Sequence, residues 1–253
     1  VKFKRRLAEA AADSIGCCIF PKVEAPIWPE QYFAGRLLER LRPDCVFDVG
    51  ANVGQYGRSL RASGFRGTLI SFEPNPVAFE QLKLAASSDP AWHCYPLALG
   101  ASAGKLPFNI MKTNVFSSFL KPATEPNVEF QTHNVVDKTI EVDIMTLDAI
   151  FPELQNQYRF KNPFLKMDTQ GFDLEVIRGG SQVLRQFCGL LSEISIRAIY
   201  DDAPGFVESI ETFKAAGFDL AGLYSVHPQM VLKLIECNCY CVRHDIAQSE
   251  AMN

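Results

Sequence analysis

The stretch Asp48-Val49-Gly50-Ala51-Asn52-Val53-Gly54-Gln55-Tyr56 is the part of this sequence best suited to hold a ligand. It joins the apolar run Cys45 to Val49 to a segment with helical spacing, 54–63. Glycines at such a junction permit a tight turn and close backbone approach to a ligand at a helix N-terminus. Glu73 ends the next apolar run, and an acid there suits the hydroxyls of a ribose. Asn52 stands where a dinucleotide fingerprint has its second glycine, and the turn lacks the lysine and hydroxyl of a phosphate-binding loop. An NAD site and an NTP site are therefore poor fits. An acid and an amide lining the turn suit a ligand with an ammonium group and no pyrophosphate.

Two more acids close strands further on. Asp168 ends Phe164-Leu165-Lys166-Met167-Asp168, and Glu193 ends Gly189-Leu190-Leu191-Ser192-Glu193. Ligands in open α/β sheets bind at the carboxyl ends of strands, so both acids are expected at the cleft. Asp168 is the first choice for a general base. Glu193 beside it would orient it, or the two would hold a divalent metal through hard oxygens. His133, in a polar stretch, is an alternative base if that stretch folds over the cleft. Ser117 and Ser118 are possible substrate contacts, whereas His227 beside Pro228 reads as a turn residue. Trp28 and Trp92 read as packing residues.

These residues need a scaffold, and the chain's periodicity supplies one. Residues 3–14 and 29–41 read as helices; 16–28, interrupted by Pro21 and Pro26, as irregular. Strands are expected at Cys45–Val49, Thr68–Glu73 and Trp92–Leu99, with helices at 54–63 and 76–87 between them. This β-α-β-α-β order implies a parallel sheet with right-handed crossovers. An insertion at about 101–150 should carry a hairpin from 106–110 and 117–120, a polar stretch over 121–138, and a strand from Val142 to Leu147 leading into a short helix. The alternation resumes with strands at 164–168 and 189–193, helices at 172–186 and 205–216, and a closing hairpin from 218–226 and 235–242. The expected organisation is a helical extension over 1–43, a main domain over 44–245 and a tail over 246–253.

Composition bounds the function. The 253 residues carry 25 basic and 29 acidic side chains, a net charge of −4, so nothing draws the whole chain to nucleic acid phosphates. No apolar run approaches the ~20 residues that span a bilayer. The eight cysteines contain no C-x-x-C pair. Cys237, Cys239 and Cys241 alternate along one strand and should point to one face as core residues, since no fourth zinc ligand lies near. Thiols in this number suggest a reducing compartment, with a cytoplasmic location as the expectation.

The motifs resemble those of the FkbM family of S-adenosylmethionine-dependent methyltransferases over roughly residues 44–227. The resemblance rests on the 47–56 block, Phe72-Glu73-Pro74-Asn75-Pro76, Ala98-Leu99-Gly100, Ser117-Ser118, Thr146-Leu147-Asp148, and Leu165-Lys166-Met167-Asp168-Thr169-Gln170-Gly171-Phe172-Asp173. It implies a Rossmann-like α/β fold: a seven-stranded, mostly parallel sheet with helices on both faces and one antiparallel strand at the end. It implies S-adenosyl-L-methionine as cofactor, and O-methylation of a hydroxyl on a sugar, glycolipid or similar small natural product. Carried over by position, Asp48, Gly50, Asn52, Gly54 and Tyr56 would surround the methionine end. Glu73 would hold the ribose with Asn75 beside it, Ala98 and Leu99 would line the adenine, and Asp168 would lie next to the methyl group. The family often has a glutamate where this chain has Gln170, which can hydrogen bond but cannot act as a base. N- or C-methylation, or cofactor binding without turnover, are the alternative readings.

Overall fold

The computed structural model describes residues 12, 17, 25, 27–123, 134–230 and 232–250. Apart from Ala12, which is helical, the helix expected over 3–14 lies outside them, as does His133. Pro29 opens helix α1 (Trp28–Leu41), where a missing N–H costs no helical bond, and left-handed Arg42 closes it by donating its N–H to Leu38 O. Phe33, Leu37 and Leu38 turn inward from α1 onto the sheet.

The chain then alternates: β1 (Cys45–Val49), α2 (Gln55–Ala62), β2 (Thr68–Phe72), α3 (Pro76–Ala86) and β3 (Trp92–Tyr95). A side layer follows, β4 (Ala98–Leu99), β5 (Gly104–Met111) and β6 (Val136–Met145), and then α4 (Leu147–Tyr158). The rest is β7 (Pro163–Met167), α5 (Asp173–Arg178), β8 (Gly189–Ser195), α6 (Phe206–Ala215), β9 (Phe218–Ser225), β10 (Glu236–Arg243) and α7 (His244–Glu250).

The main sheet has seven strands in the order β3-β2-β1-β7-β8-β10-β9. The first five run parallel, and β10 is antiparallel to both β8 and β9. The antiparallel strand is thus last in sequence but sits one strand in from the edge. The chain leaves β1 toward β3, then returns to lay β7 on the other side of β1. That reversal opens a crevice above the carboxyl ends of β1 and β7, where open α/β sheets take ligands.

Both faces of the sheet are covered. On one face Phe47 packs on Phe72, Phe151, Phe160 and Phe187, with ring centroids 6.1, 5.8, 5.4 and 5.3 Å away. Cys237, Cys239 and Cys241 are buried on this face as core residues. On the other face Val46, Leu69, Trp92 and Tyr240 meet α1, α2 and α3, with Leu82 reaching in from α3. Among the described residues no helix is long and apolar enough to cross a membrane.

Local structure departs from expectation at identifiable residues. The strand expected over 92–99 is two, because Pro96 carries no N–H for the ladder; β4 joins the side sheet instead. The partner of β5 is β6, and Ser117–Leu120 contributes only an isolated bridge between Asn109 and Ser118. The helix expected over 172–186 stops at Arg178, before Gly179-Gly180, and resumes as a single turn at 184–186. A Cβ on Gly179 would lie 2.0 Å from Gly100 O, so this break lets the backbones touch.

Candidate active site

The loop after β1 takes an unusual path. Gly50, Asn52 and Gly54 all have positive φ, +74°, +48° and +82°. Asparagine tolerates the left-handed region better than most residues, which accounts for its presence between two glycines. A Cβ on Gly50 would come within 2.0 Å of Asp168 O, so this position presses the β1 loop against the end of β7. Gly50 and Ala51 both donate their N–H groups to Phe72 O at 3.0 Å, tying the loop to β2 as well.

Glu73 completes the first half of the site. Its Oε2 accepts the Asn52 N–H at 2.7 Å and its Oε1 accepts the Asn75 N–H at 2.8 Å. Burial pushes this carboxyl up to about 7, against the pull of those two N–H groups and of Lys166. Asn75 uses its own Oδ1 to cap α3 through the Val77 N–H at 3.0 Å, and Pro76 fills the first turn. The Glu-Pro-Asn-Pro sequence is thus a device that fixes the acid at the strand tip.

Asp48 is held by partners within the protein. It is fully buried, 2.9 Å from Lys166 Nζ through Oδ1, and accepts the Ser71 hydroxyl at 3.2 Å through Oδ2. Trp92 Nε1 donates to that same Ser71 oxygen at 2.9 Å. Lys166 also donates to Gly50 O at 3.2 Å and lies 5.3 Å from the centre of the Tyr56 ring. Burial works against the charge of Lys166, but Asp48 and Asp168 outweigh it and hold the amine protonated. The pair is a buried brace between β1 and β7, directly under the loop.

One cleft gathers most of the residues singled out in the sequence. Gly50, Asn52, Glu73, Asn75, Ala98, Leu99, Asp168 and Glu193 all line it. Asp48, Gly54 and Tyr56 do not; Gly54 packs toward Leu82 and Trp92, and Tyr56 lines a second cavity beneath α1. Ser117 lines the cleft, while Ser118 is buried and donates to Gln170 O at 2.7 Å. Trp92 is a packing residue under the loop, and Trp28 stacks on Tyr32 at 5.0 Å.

At the far end of the cleft the acids are linked. Gln170 Nε2 donates to Asp168 Oδ1 at 2.8 Å and to Glu193 Oε1 at 3.3 Å. Its Oε1 lies 2.8 Å from the Tyr200 hydroxyl, which also reaches Phe116 O at 2.8 Å. Asp173 is buried behind them and holds the turn by accepting the Thr169 N–H at 2.9 Å and the Thr169 and Ser192 hydroxyls. Burial, reinforced by Asp168, Glu236 and Asp173, drives the Glu193 carboxyl well above the usual carboxylate range.

No local pattern marks Tyr200, Glu236 or the phenylalanines of the cleft as site residues. Tyr200 lies in an irregular segment, and its contacts with Gln170 and Phe116 exist only in the fold. Glu236 opens β10 inside the wall, with His227 Nε2 3.5 Å from its Oε2, so the histidine read as a turn residue faces the cleft. Phe108, Phe116 and Phe119 form an apolar side contributed by the side sheet and the segment after it. Among the described residues no cluster of His, Cys, Asp and Glu side chains is arranged to hold a metal ion.

The site fits an adenosyl cofactor on this structure's own terms. Both oxygens of Glu73 are held by backbone N–H groups with lone pairs left for ligand hydroxyls, and Asn52 Oδ1 is buried without a partner beside the cleft.

The methyltransferase FkbM domain, as a family model, matches residues 48–220. None of the curated proteins compared matches the chain. Among solved structures, magnesium protoporphyrin IX methyltransferase from Synechocystis PCC 6803 with bound S-adenosylmethionine is similar at 10% identity, with a TM-score of 0.46, over 87% of this chain and 80% of that one. Aeropyrum pernix fibrillarin with natively bound S-adenosylmethionine is similar at 12% identity, with a TM-score of 0.41, over 79% of this chain and 66% of that one. TehB from Haemophilus influenzae is similar at 8% identity, with a TM-score of 0.41, over 79% and 57%. Likeness this distant bears on neither substrate nor residue roles.

Proposed function

Because the chain belongs to the FkbM family of S-adenosylmethionine-dependent methyltransferases, we propose that it methylates a hydroxyl of an uncharged sugar, glycolipid or similar small natural product. The observation that carries this reading is the charge of the cleft. Asp168, Glu193 and Glu236 line it together, and no described lining residue is Lys or Arg. A phosphate or carboxylate near the reacting centre would meet like charge at short range. The same charge disfavours nucleic acid. The phenylalanine side suits the apolar face of a sugar or a lipid stem.

Each residue then has a task. Glu73 holds the ribose hydroxyls, and the Gly50–Asn52 backbone lies under the ligand. Ala98 and Leu99 flank the adenine. When bound, the cofactor supplies a methyl group made electrophilic by its sulfonium. Asp168 faces the acceptor and takes its proton, because a sugar hydroxyl is a weak nucleophile without a base. Gln170 holds Asp168 in place, and the phenylalanines keep water out.

The test is radiolabelled S-adenosylmethionine with a panel of neutral glycosides, their phosphorylated and carboxylated analogues, and amino sugars, with and without magnesium. The expected result is a methyl ether on a neutral member. Label on an amine nitrogen or on carbon would favour N- or C-methylation, and label confined to anionic members would overturn the reading.

A further inference from the structure

Gln55, Asp168 and Glu193 line two cavities at once: the cleft that contains Glu73, and a cavity of about 700 Å³ beneath α1. The second cavity lies between α1 and α2, on the face of the sheet opposite the Phe47 cluster. Strand pleating explains its floor. Leu191 and Glu193 are two apart on β8 and share this face, and the register sets Tyr240 and Asn238 of β10 beside them.

The lining changes character along α1. Beside Asn238 stands Glu30, whose Oε1 accepts Asn238 Nδ2–H at 2.7 Å and the Tyr240 hydroxyl at 2.9 Å. Both bonds fall on one oxygen, which leaves Oε2 able to accept a hydroxyl from a ligand. Two turns further on, about 10–12 Å along the helix axis, Leu37 and Leu38 join Leu60, Phe164 and Leu191 around the cavity. The walls between are small: Ala34 and Gly35 from α1, Ser59 and Ser63 from α2. One end is therefore built for hydroxyls and lies next to Glu193, and the other is built for apolar surface.

The reaction sets a direction. In a displacement at a methyl carbon the acceptor oxygen enters from the side opposite the leaving sulfur. A nucleoside held by Glu73 on one side of the acids is then met by an acceptor coming from another side, and the cavity beneath α1 opens onto the same acids. Its size falls within the range of small-molecule sites. We propose that this cavity binds the stem of the acceptor, and that the acceptor is a neutral amphiphile. Its hydroxyl end lies at Asp168, Glu193 and Glu30, and its apolar stem runs between α1 and α2 to Leu37, Leu38 and Leu60. This rests on the reading proposed above and narrows its acceptor class to hydroxyl compounds that carry an apolar stem. The phenylalanine side of the cleft covers the sugar, and the stem leaves on the α1 side. A free sugar has nothing for the far end of the cavity to cover.

Calorimetry tests this without turnover. The full chain, saturated with S-adenosylhomocysteine, is titrated with methyl, butyl and octyl glucosides, galactosides and mannosides, each below its micelle concentration. Affinity should rise about 3- to 4-fold per buried methylene, reaching one saturable site for an octyl member. Gly35→Leu and Ser59→Leu fill the cavity from opposite walls. An added Cβ at Gly35 meets nothing within 4 Å, so the first variant should fold as wild type, and circular dichroism checks both. In each, affinity for the octyl glycoside should fall at least ~10-fold, while that for S-adenosylhomocysteine stays within about 2-fold of wild type. Octyl binding unchanged in both variants, or no saturable octyl binding to a chain that holds S-adenosylhomocysteine, would overturn the proposal and leave cofactor binding standing. Failure of S-adenosylhomocysteine to bind the wild-type chain would overturn the cofactor reading and the proposal with it.

Discussion

The backbone N–H of Asn52 meets Glu73 Oε2 at 2.7 Å, fastening the glycine turn of β1 to the acid at the tip of β2. Two features separated in sequence thereby become one surface. The turn shapes the acid's position, and the acid in return satisfies a donor left over by left-handed backbone. The site is a property of that junction more than of either motif alone.

Glu73 should make cofactor affinity depend on pH. Its carboxyl lies near 7 in the folded protein, above its usual 4.5, and must be ionised to accept ribose hydroxyls. S-adenosylhomocysteine should therefore bind more tightly as pH rises from 6 to 8, with up to ~10-fold lost per unit on the acid side of 7. Glu73→Gln should weaken binding by roughly 10- to 100-fold, from the loss of charge-assisted bonds of ~1.5–3 kcal/mol, and flatten that profile. The stability of the free protein has the opposite sign: this carboxyl's contribution is full below 4.5 and is lost as pH rises through about 7. Calorimetry across pH and thermal melts of the free protein check both statements.

Asp48 and Lys166 should act on stability first. Their side chains are almost wholly buried, 0% and 7% exposed, so removing one partner strands a charge. Asp48→Ala and Lys166→Met should each cost ~3–5 kcal/mol in urea unfolding. The double variant Asp48→Ala with Lys166→Met should lose less than the sum of the two. Additive losses would show that the pair does not act as a brace.

Glycine 50 should be intolerant where glycine 35 is not. Gly50→Ala places a Cβ 2.0 Å from Asp168 O at φ +74°, and should cost at least ~1–3 kcal/mol while weakening cofactor binding. Gly35 sits inside α1 with nothing within 4 Å of an added Cβ, and Gly35→Ala should stabilise by up to ~1 kcal/mol. Paired urea curves separate the two cases.

Asp168→Asn should separate binding from turnover. Affinity for S-adenosylhomocysteine should stay within a few-fold of wild type, while methyl transfer falls ~10²–10⁴-fold. Normal transfer by this variant would remove Asp168 from the role of base.

Much of this architecture was legible because local signals agreed with long-range ones. Asp168 just past the tip of β7, the Gly50 turn and the Pro76 helix start each follow from side-chain chemistry within a few residues, whereas β8 runs two residues past Glu193, to Ser195, because β10 pairs with it there. Asp48 was legible as an acid at the glycine turn, but its partner was not; only the register of β1 against β7, which sets Asp48 opposite Lys166, reveals it. His227 and Glu236 were hidden for a similar reason. The inward position of β10, between β8 and β9, brings them to the cleft, and no local pattern encodes that insertion. The partner of β5 is β6, separated from it by a long connection, whereas the nearer Ser117–Leu120 meets β5 only at Asn109 and Ser118.

Calorimetric titration of S-adenosylhomocysteine into wild type, Glu73→Ala and Asp168→Asn at pH 8 tests the cofactor site most directly. Wild type should show one site, Glu73→Ala near-complete loss and Asp168→Asn retention. A wild-type chain that takes up no ligand, or a Glu73→Ala variant that binds as well as wild type, would contradict it.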